Sequence, residues 1–239
     1  MNKIPLHEVI AECDHLFNAG KSSETGIHLR HWLNEARLLG DREGELSILS
    51  ELMGRYRMDN DPARGLEAID SGIKLLDELQ LGETVSGGTI LLNAATALQA
   101  FGRYEEAEKL YLRAFRAYSL HLPDKDVRFA GLLNNMASVY AVKGDTDTAE
   151  AYYFEALEVL KDSGNLMDTA VTWINLAQLG KNTAACCERA MAIFNDPAAA
   201  HDGYYAHTCL KCAPAFAELG CGNYAEVLRA RAGEFYESH

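Results

Sequence analysis

Residues 132–157, LLNNMASVYAVKGDTDTAEAYYFEAL, decide how the chain is organised. Leu133, Met136, Ala137 and Tyr140 recur at the spacing of one helical face, and Ala149, Tyr153, Ala156 and Leu157 do the same after Gly144-Asp145. The stretch therefore reads as two amphipathic helices joined by a tight turn. Ala137, Ala149 and Ala156 are small enough to let the two backbones approach closely. Neither helix can bury its apolar side within the pair, so the unit needs neighbours. One stands 42 positions upstream, where Leu91-Leu92-Asn93-Ala94-Ala95 precedes Gly102, Ala107, Tyr111 and Ala114 at matching offsets. Self-similarity at such a period marks an array of helical repeats.

The bulk properties agree. A chain of 239 residues, 48% hydrophobic and 24% charged, has ordinary globular composition and ample length for a core. Five prolines and few alternating β-branched runs favour an all-α fold. A formal charge of −13 argues against a nucleic-acid partner, because phosphates would be repelled. The N-terminal MNKIPLHEVIAECDH lacks the unbroken apolar run of a signal peptide, and no segment approaches a membrane span. Six cysteines without a secretory signal suggest reduced thiols and a cytoplasmic location.

Outward from the central pair, the periodicity predicts six units, at about 5–40, 42–81, 86–122, 126–164, 167–197 and 201–238, forming a single domain over 1–239. In the first, helix one runs from about Leu6 to Asn18, with Leu16-Phe17 inward and Gly20 at its end. Helix two, about Ser23–Leu39, buries Ile27, Leu29, Trp32-Leu33 and Leu38. Asp41 is a helix cap, and Asp61-Pro62 is a restart signal because proline loses no hydrogen bond at a first helical position. Gly65 and Gly72 stand where later units have alanine, and close helix packing is the expected reason. Unit five is short by about six residues between its helices, so a distorted or tightened turn is expected at Gly180-Lys181-Asn182. Pro214 is expected to kink the first helix of unit six or to mark its start. On the last helix Arg229, Arg231 and Glu234 are the residues able to cap the array.

The series Leu91, Ala95, Leu98, Gly102, Tyr104, Ala107, Tyr111, Ala114, repeated in unit four, resembles the tetratricopeptide repeat. The 42-residue spacing and the Leu-Asn-Asn-Met-Ala segment at 133–137 resemble the longer repeats of kinesin light chains and of bacterial peptide-sensing regulators. The resemblance implies a right-handed α-solenoid in which first helices line a concave groove and second helices form the outer surface. It also implies a non-catalytic scaffold or adaptor that binds a protein or peptide segment. The alternative it offers is a regulatory sensor of a small signalling peptide acting through a separate effector partner.

Groove positions carried over from the family pattern are Arg55, Glu51 and Met58 in unit two, and Thr89, Leu92, Asn93, Thr96 and Gln99 in unit three. Unit four supplies Asn134, Asn135, Ser138 and Ala141, unit five Ile174, Asn175 and Gln178, and unit six His207, Leu210 and Lys211. Asn93, Asn135 and Asn175 occupy one slot, and an amide pairs with both polar groups of an extended backbone. The expectation is that these three hold a partner's main chain; the alternative is that they join adjacent helices. At about 0.5–1.5 kcal/mol per net hydrogen bond they cannot give tight binding alone, so neighbouring pockets must set affinity. With Arg55 and Lys211 the sole groove cations, a clamp for a C-terminal carboxylate is not evident. The last helix pair, lacking a dedicated cap, offers an edge for a homodimer.

Other chemistry is weak. Cys209-Leu-Lys-Cys212, near His207 and Cys221, has ligand-like spacing. Yet both cysteines fall where Leu133 and Met136 pack in unit four, and buried cysteine behaves as a small hydrophobe. Glu24, His28 and His31 share a helix face that is expected to meet solvent. Trp32 and Trp173 are expected in the core. No phosphate loop, catalytic order, cofactor or metal site is expected.

Overall fold

The structure, a computed structural model, describes residues 3–18 and 21–238, without the side chains of 17, 18, 22, 23 and 238. Gly20 and the side chain of Phe17, both assigned in the sequence reading, lie outside these residues. Among the described residues are twelve α-helices and no strand, in the helix-turn-helix order of an α-solenoid. They form two compact units, Met1–Leu122 and Pro123–His239, each of three helix pairs.

The first unit holds α1 (Leu6–Asn18), α2 (Ser22–Leu39), α3 (Arg42–Met58), α4 (Pro62–Glu78), α5 (Val85–Ala100) and α6 (Tyr104–Ser119). The caps are where the sequence places them. Asp41 accepts from the Gly44 amide at 3.0 Å, and Asp61 accepts from Arg64 N at 3.1 Å with Pro62 opening the helix. The α3–α4 and α5–α6 pairs close on a residue in the left-handed region, where a side chain is strained unless it is absent or short. Gly102 (φ +76°) does this between α5 and α6, and Asn60 (φ +51°) between α3 and α4. In both turns an amide reaches five residues back, Arg103 N to Leu98 O at 2.9 Å and Asp61 N to Tyr56 O at 2.9 Å.

Close packing accounts for the two α4 glycines. A Cβ on Gly65 would lie 2.5 Å from Cζ of the Phe101 ring, and one on Gly72 would meet the Cε methyl of Met53. One helix phase differs from expectation. The buried face of α2 is Gly26, Leu29, Leu33 and Ala36, whereas Ile27 and Leu38 are 63% and 80% exposed. At about 100° per residue both lie roughly 160–180° around the helix from Leu29, so residue type misled where phase decided. Trp32 is half-buried, its ring edge-on to those of His28 and His31.

The second unit holds α7 (Arg128–Val142), α8 (Thr146–Leu160), α9 (Leu166–Gln178), α10 (Thr183–Phe194), α11 (Gly203–Glu218) and α12 (Gly222–Ser238). Ala137, Ala149 and Ala156 are fully buried between α7 and α8, the close approach their size permits. Asp145 and Asp202 cap α8 and α11. The turn after α9 is distorted and not tightened: Gly180 (φ +79°) and Asn182 (φ +53°) both take the left-handed region, and it spans residues 179–182, against 143–145 in the preceding pair. The missing residues come from the helices, 13 and 12 residues long against 15 and 15. Pro214 lies inside α11, which continues through it, so it does not mark a helix start. The carbonyl it leaves unmatched belongs to exposed Leu210, where water can serve it.

Arg231 does not cap an outer surface. It turns inward, Nη1 donating to Phe194 O at 2.9 Å and to the Tyr205 hydroxyl at 3.0 Å, and Nη2 to Asn195 Oδ1 at 2.6 Å. The carbonyl end of α10 is thereby satisfied by a cation, the charge its dipole favours. Cys209 and Cys212 are buried in the same core, and His207 is exposed. No group of three or more His, Cys, Asp or Glu among the described residues could hold a metal ion. His28 of the proposed solvent-facing trio is half-buried, with Nε2 3.2 Å from Val9 O.

Candidate functional site

The surface to test is the exposed side of the first helices. In the first unit α3 packs on α5; in the second, α7 packs on α9 and α9 on α11. Charge is nearly absent from three of these helices. α5, VSGGTILLNAATALQA, has none; α7 has Arg128 alone and α9 Asp168 alone. Both are engaged within the fold. Arg128 donates to Asp126 through Nε and Nη2 at 2.7 Å, and the Tyr204 hydroxyl donates to Asp168 Oδ1 at 2.6 Å. In a chain of net charge −13, these three helices are therefore set apart from the rest, including α1 and α3, which carry Glu8, Glu12 and Asp14, and Glu43, Glu45 and Glu51.

Amides and hydroxyls remain, and many are tied to neighbours. Asn93 Nδ2 donates to Ser50 Oγ of α3 at 3.0 Å. Asn134 donates twice through Nδ2, to Ala130 O at 3.0 Å and to Thr172 Oγ1 of α9 at 2.8 Å. Thr172 is itself fully buried and donates to Asp168 O, so its oxygen relies on Asn134 for a donor. Asn175 comes within 3.5 Å of Asn134 Oδ1. It is thus Asn134, one residue before the expected slot, that the fold brings to Asn175; Asn135, half-buried, is also engaged.

The second-helix tyrosines reach the same surface from behind. The Tyr111 hydroxyl donates to Gln99 Oε1 at 2.8 Å and lies 3.3 Å from Thr96 Oγ1. Forty-two residues on, Tyr153 hydrogen-bonds to Ser138. Burial pushes both phenols up to about 12, so both are protonated donors across the neutral range. Thr96 and Ser138 thus belong to a repeated tyrosine–hydroxyl pair that locks each hairpin. Thr89 is similarly linked to the Tyr118 hydroxyl at 3.0 Å.

The remaining positions divide. Ile174 is buried in the core and faces no groove. Arg55 pairs with Asp59 through Nε at 2.8 Å and again through Nη2, which holds Asp59 below the usual carboxylate range. Glu51 is pushed up, first by burial and then by nearby Asp14. Met58, His207, Leu210 and Lys211 are exposed, as is Gln178, which makes no side-chain hydrogen bond among the described residues. Ser50 and Thr172 are the partners sequence reasoning missed. Their signal was a hydroxyl inside an apolar run, as in Ile48-Leu49-Ser50-Glu51-Leu52.

The tetratricopeptide-repeat family pattern matches residues 88–124 and, in a second form, 132–167. The chain carries tetratricopeptide repeats over those residues. Among solved structures it is similar to BtubC (BKLC) from P. vanneervenii, at 19% identity over 90% of this chain and 91% of that one, with a TM-score of 0.61. It is also similar to the nearly identical TPR-like repeats of a putative kinesin light chain from Podosopora anserina, at 16% identity over 81% of this chain and 95% of that one, TM-score 0.58. At such identities the likeness is one of fold. No curated protein matches the sequence. Repeat arrays of this kind present extended surfaces to protein partners, and this tetratricopeptide-repeat protein is an interaction scaffold in that broad sense. No helix among its described residues is long and apolar enough to cross a membrane.

Proposed function

We propose that the repeat protein is a non-catalytic adaptor whose first helices hold an extended, largely uncharged polypeptide segment, residues 1–239 acting as one repeat domain. The observation that carries this is the uncharged polar character of α5, α7 and α9 within a strongly acidic chain. Such a surface offers donors and acceptors to a peptide backbone without selecting a charged side chain. Asn175 is the central residue of the reading: its Oδ1 accepts no hydrogen bond among the described residues. Gln178 lies one turn further along α9, able to meet the next polar group of the same ligand. In the second unit Asn134, Asn135 and Ser138 stand beside them, and in the first unit Arg55, Asn93, Thr96 and Gln99 occupy the matching first helices, all while serving contacts of their own.

The test compares two alanine variants by capture of partners from the native cell. Asn175→Ala is expected to weaken capture while leaving the unfolding midpoint unchanged. Asn134→Ala is expected to lower stability by about 1–2 kcal/mol, because the buried Thr172 oxygen loses its donor. Undiminished capture by an Asn175→Ala, Gln178→Ala double variant would refute the reading. Recovery of a short peptide instead of a protein would assign the chain to signal sensing. Self-association would use the α12 edge, where Val227 and Tyr236 are exposed; a monomer in sedimentation removes it.

A further inference from the structure

Three helix faces of the first unit converge on a second cleft, of about 230 Å³, between α2 and α4 over α3. From α3 it takes Leu49, Leu52 and Tyr56, all buried. At 3.6 residues per turn these are centred about 130° around the helix from Glu51, Arg55 and Met58, so the cleft opens on a different face of α3 from the surface discussed above. Leu33 extends its apolar floor.

The rim is basic. Arg30 and Arg37 stand on it from α2 and Arg64 from α4, against the single carboxylate of Glu67. Arg37 Nε donates to Glu45 at 2.7 Å, and Arg64 Nε to Asp61 at 2.6 Å while its guanidinium lies 5.4 Å from the Tyr56 ring centroid. Both keep further N–H groups, since a guanidinium has five. Arg30, half-buried, makes no hydrogen bond or close ion pair among the described residues, although it lies near enough to Asp59 to help hold that carboxyl low. The equivalent cleft one repeat later, between α4 and α6, is different: Lys74, Arg103 and Lys109 are balanced by Asp70, Asp77 and Glu106. Among the lining residues the cationic excess therefore belongs to the first cleft and not to the geometry that repeats, with Glu45, Asp61 and Asp59 lying just outside it.

We propose that the α2–α3–α4 cleft docks an acidic segment of a partner protein, one apolar side chain entering it and flanking carboxylates meeting the arginines. Charge complementarity selects that occupant: a local excess of guanidinium in a chain of net charge −13 favours carboxylates over neutral or basic sequence. Size selects a side chain, because the cleft is smaller than the roughly 300–1,000 Å³ of small-molecule sites.

The test uses a fluorescent synthetic peptide with a central leucine between aspartates and glutamates, and a control with asparagines and glutamines in their place. Binding to the full chain is read by anisotropy at low and high salt. The acidic peptide is expected to bind, to weaken with salt, and to lose about tenfold in affinity in Arg30→Gln. Arg64→Gln gives a second, independent loss, and Lys74→Gln in the neighbouring cleft leaves binding unchanged. Failure of the acidic peptide to bind, equal binding of the two peptides, or indifference to both arginine substitutions overturns the proposal. So does displacement of the peptide by inorganic phosphate at comparable concentration, which would make this a small-anion site.

Discussion

Replacing Gly65 and Gly72 singly with alanine applies one chemical change at two buried places on α4, and the structure assigns the outcomes opposite signs. Relieving a helical glycine is worth up to about 1 kcal/mol at either site. At Gly65 the new methyl would meet two atoms of the Phe101 ring, Cζ at 2.5 Å and Cε2 closer still. An aromatic edge moves only as a whole, and overpacking of this kind costs about 1–3 kcal/mol. The net is a loss of about 0–2 kcal/mol. At Gly72 the close atom is the Met53 Cε methyl, at the end of a flexible side chain, and the next contact, Leu49 Cβ at 3.7 Å, is ordinary. The methyl can swing aside, and the net is a gain of up to about 1 kcal/mol. Thermal melts of the full chain followed by circular dichroism should separate the two variants by several degrees, at roughly 2–4 °C per kcal/mol for a protein of this size. Phe101→Leu should restore the Gly65→Ala variant by opening the ring's space. Equal midpoints for the two alanine variants would refute the argument, because they would show that contact geometry does not decide the sign.

Two further outcomes follow from the same coordinates. Arg231→Met should destabilise by about 1.5–3 kcal/mol in urea unfolding, since the carbonyl end of α10 and the Tyr205 hydroxyl lose a charged donor; Arg231→Lys should recover little, lacking the fork that reaches Phe194 and Asn195 together. Stability should be fully present below pH 10 and fall as pH rises through about 12, because unfolded tyrosines lose their protons near 10 while Tyr111 and Tyr153 hold theirs to about 12. Ultraviolet phenolate absorbance of the folded chain should show this late-titrating pair, and Tyr111→Phe should remove part of it.

The sequence alone determined the helix pairs. Periodic small and apolar residues, aspartates at helix starts and glycines at hairpin ends act locally, through spacing, capping and backbone freedom, so Ala137, Ala149, Asp61 and Gly144 could be read without knowing what they touch. Local signals failed where phase or partner mattered. Leu38 looks like core but falls off the buried face of α2, and Ile174 looks like groove but falls inside the core. The candidate site was half legible: the uncharged first helices and their asparagines stand in the sequence. Whether an amide is engaged depends on a hydroxyl 38 or 43 residues away, such as Thr172 or Ser50. Tertiary structure alone decided that Asn134 is occupied, that Arg231 points inward, and that three arginines scattered over 35 residues share one cleft. Hydrogen bonding and charge clustering act over ångströms in space, and a chain specifies those distances only once its helices have packed.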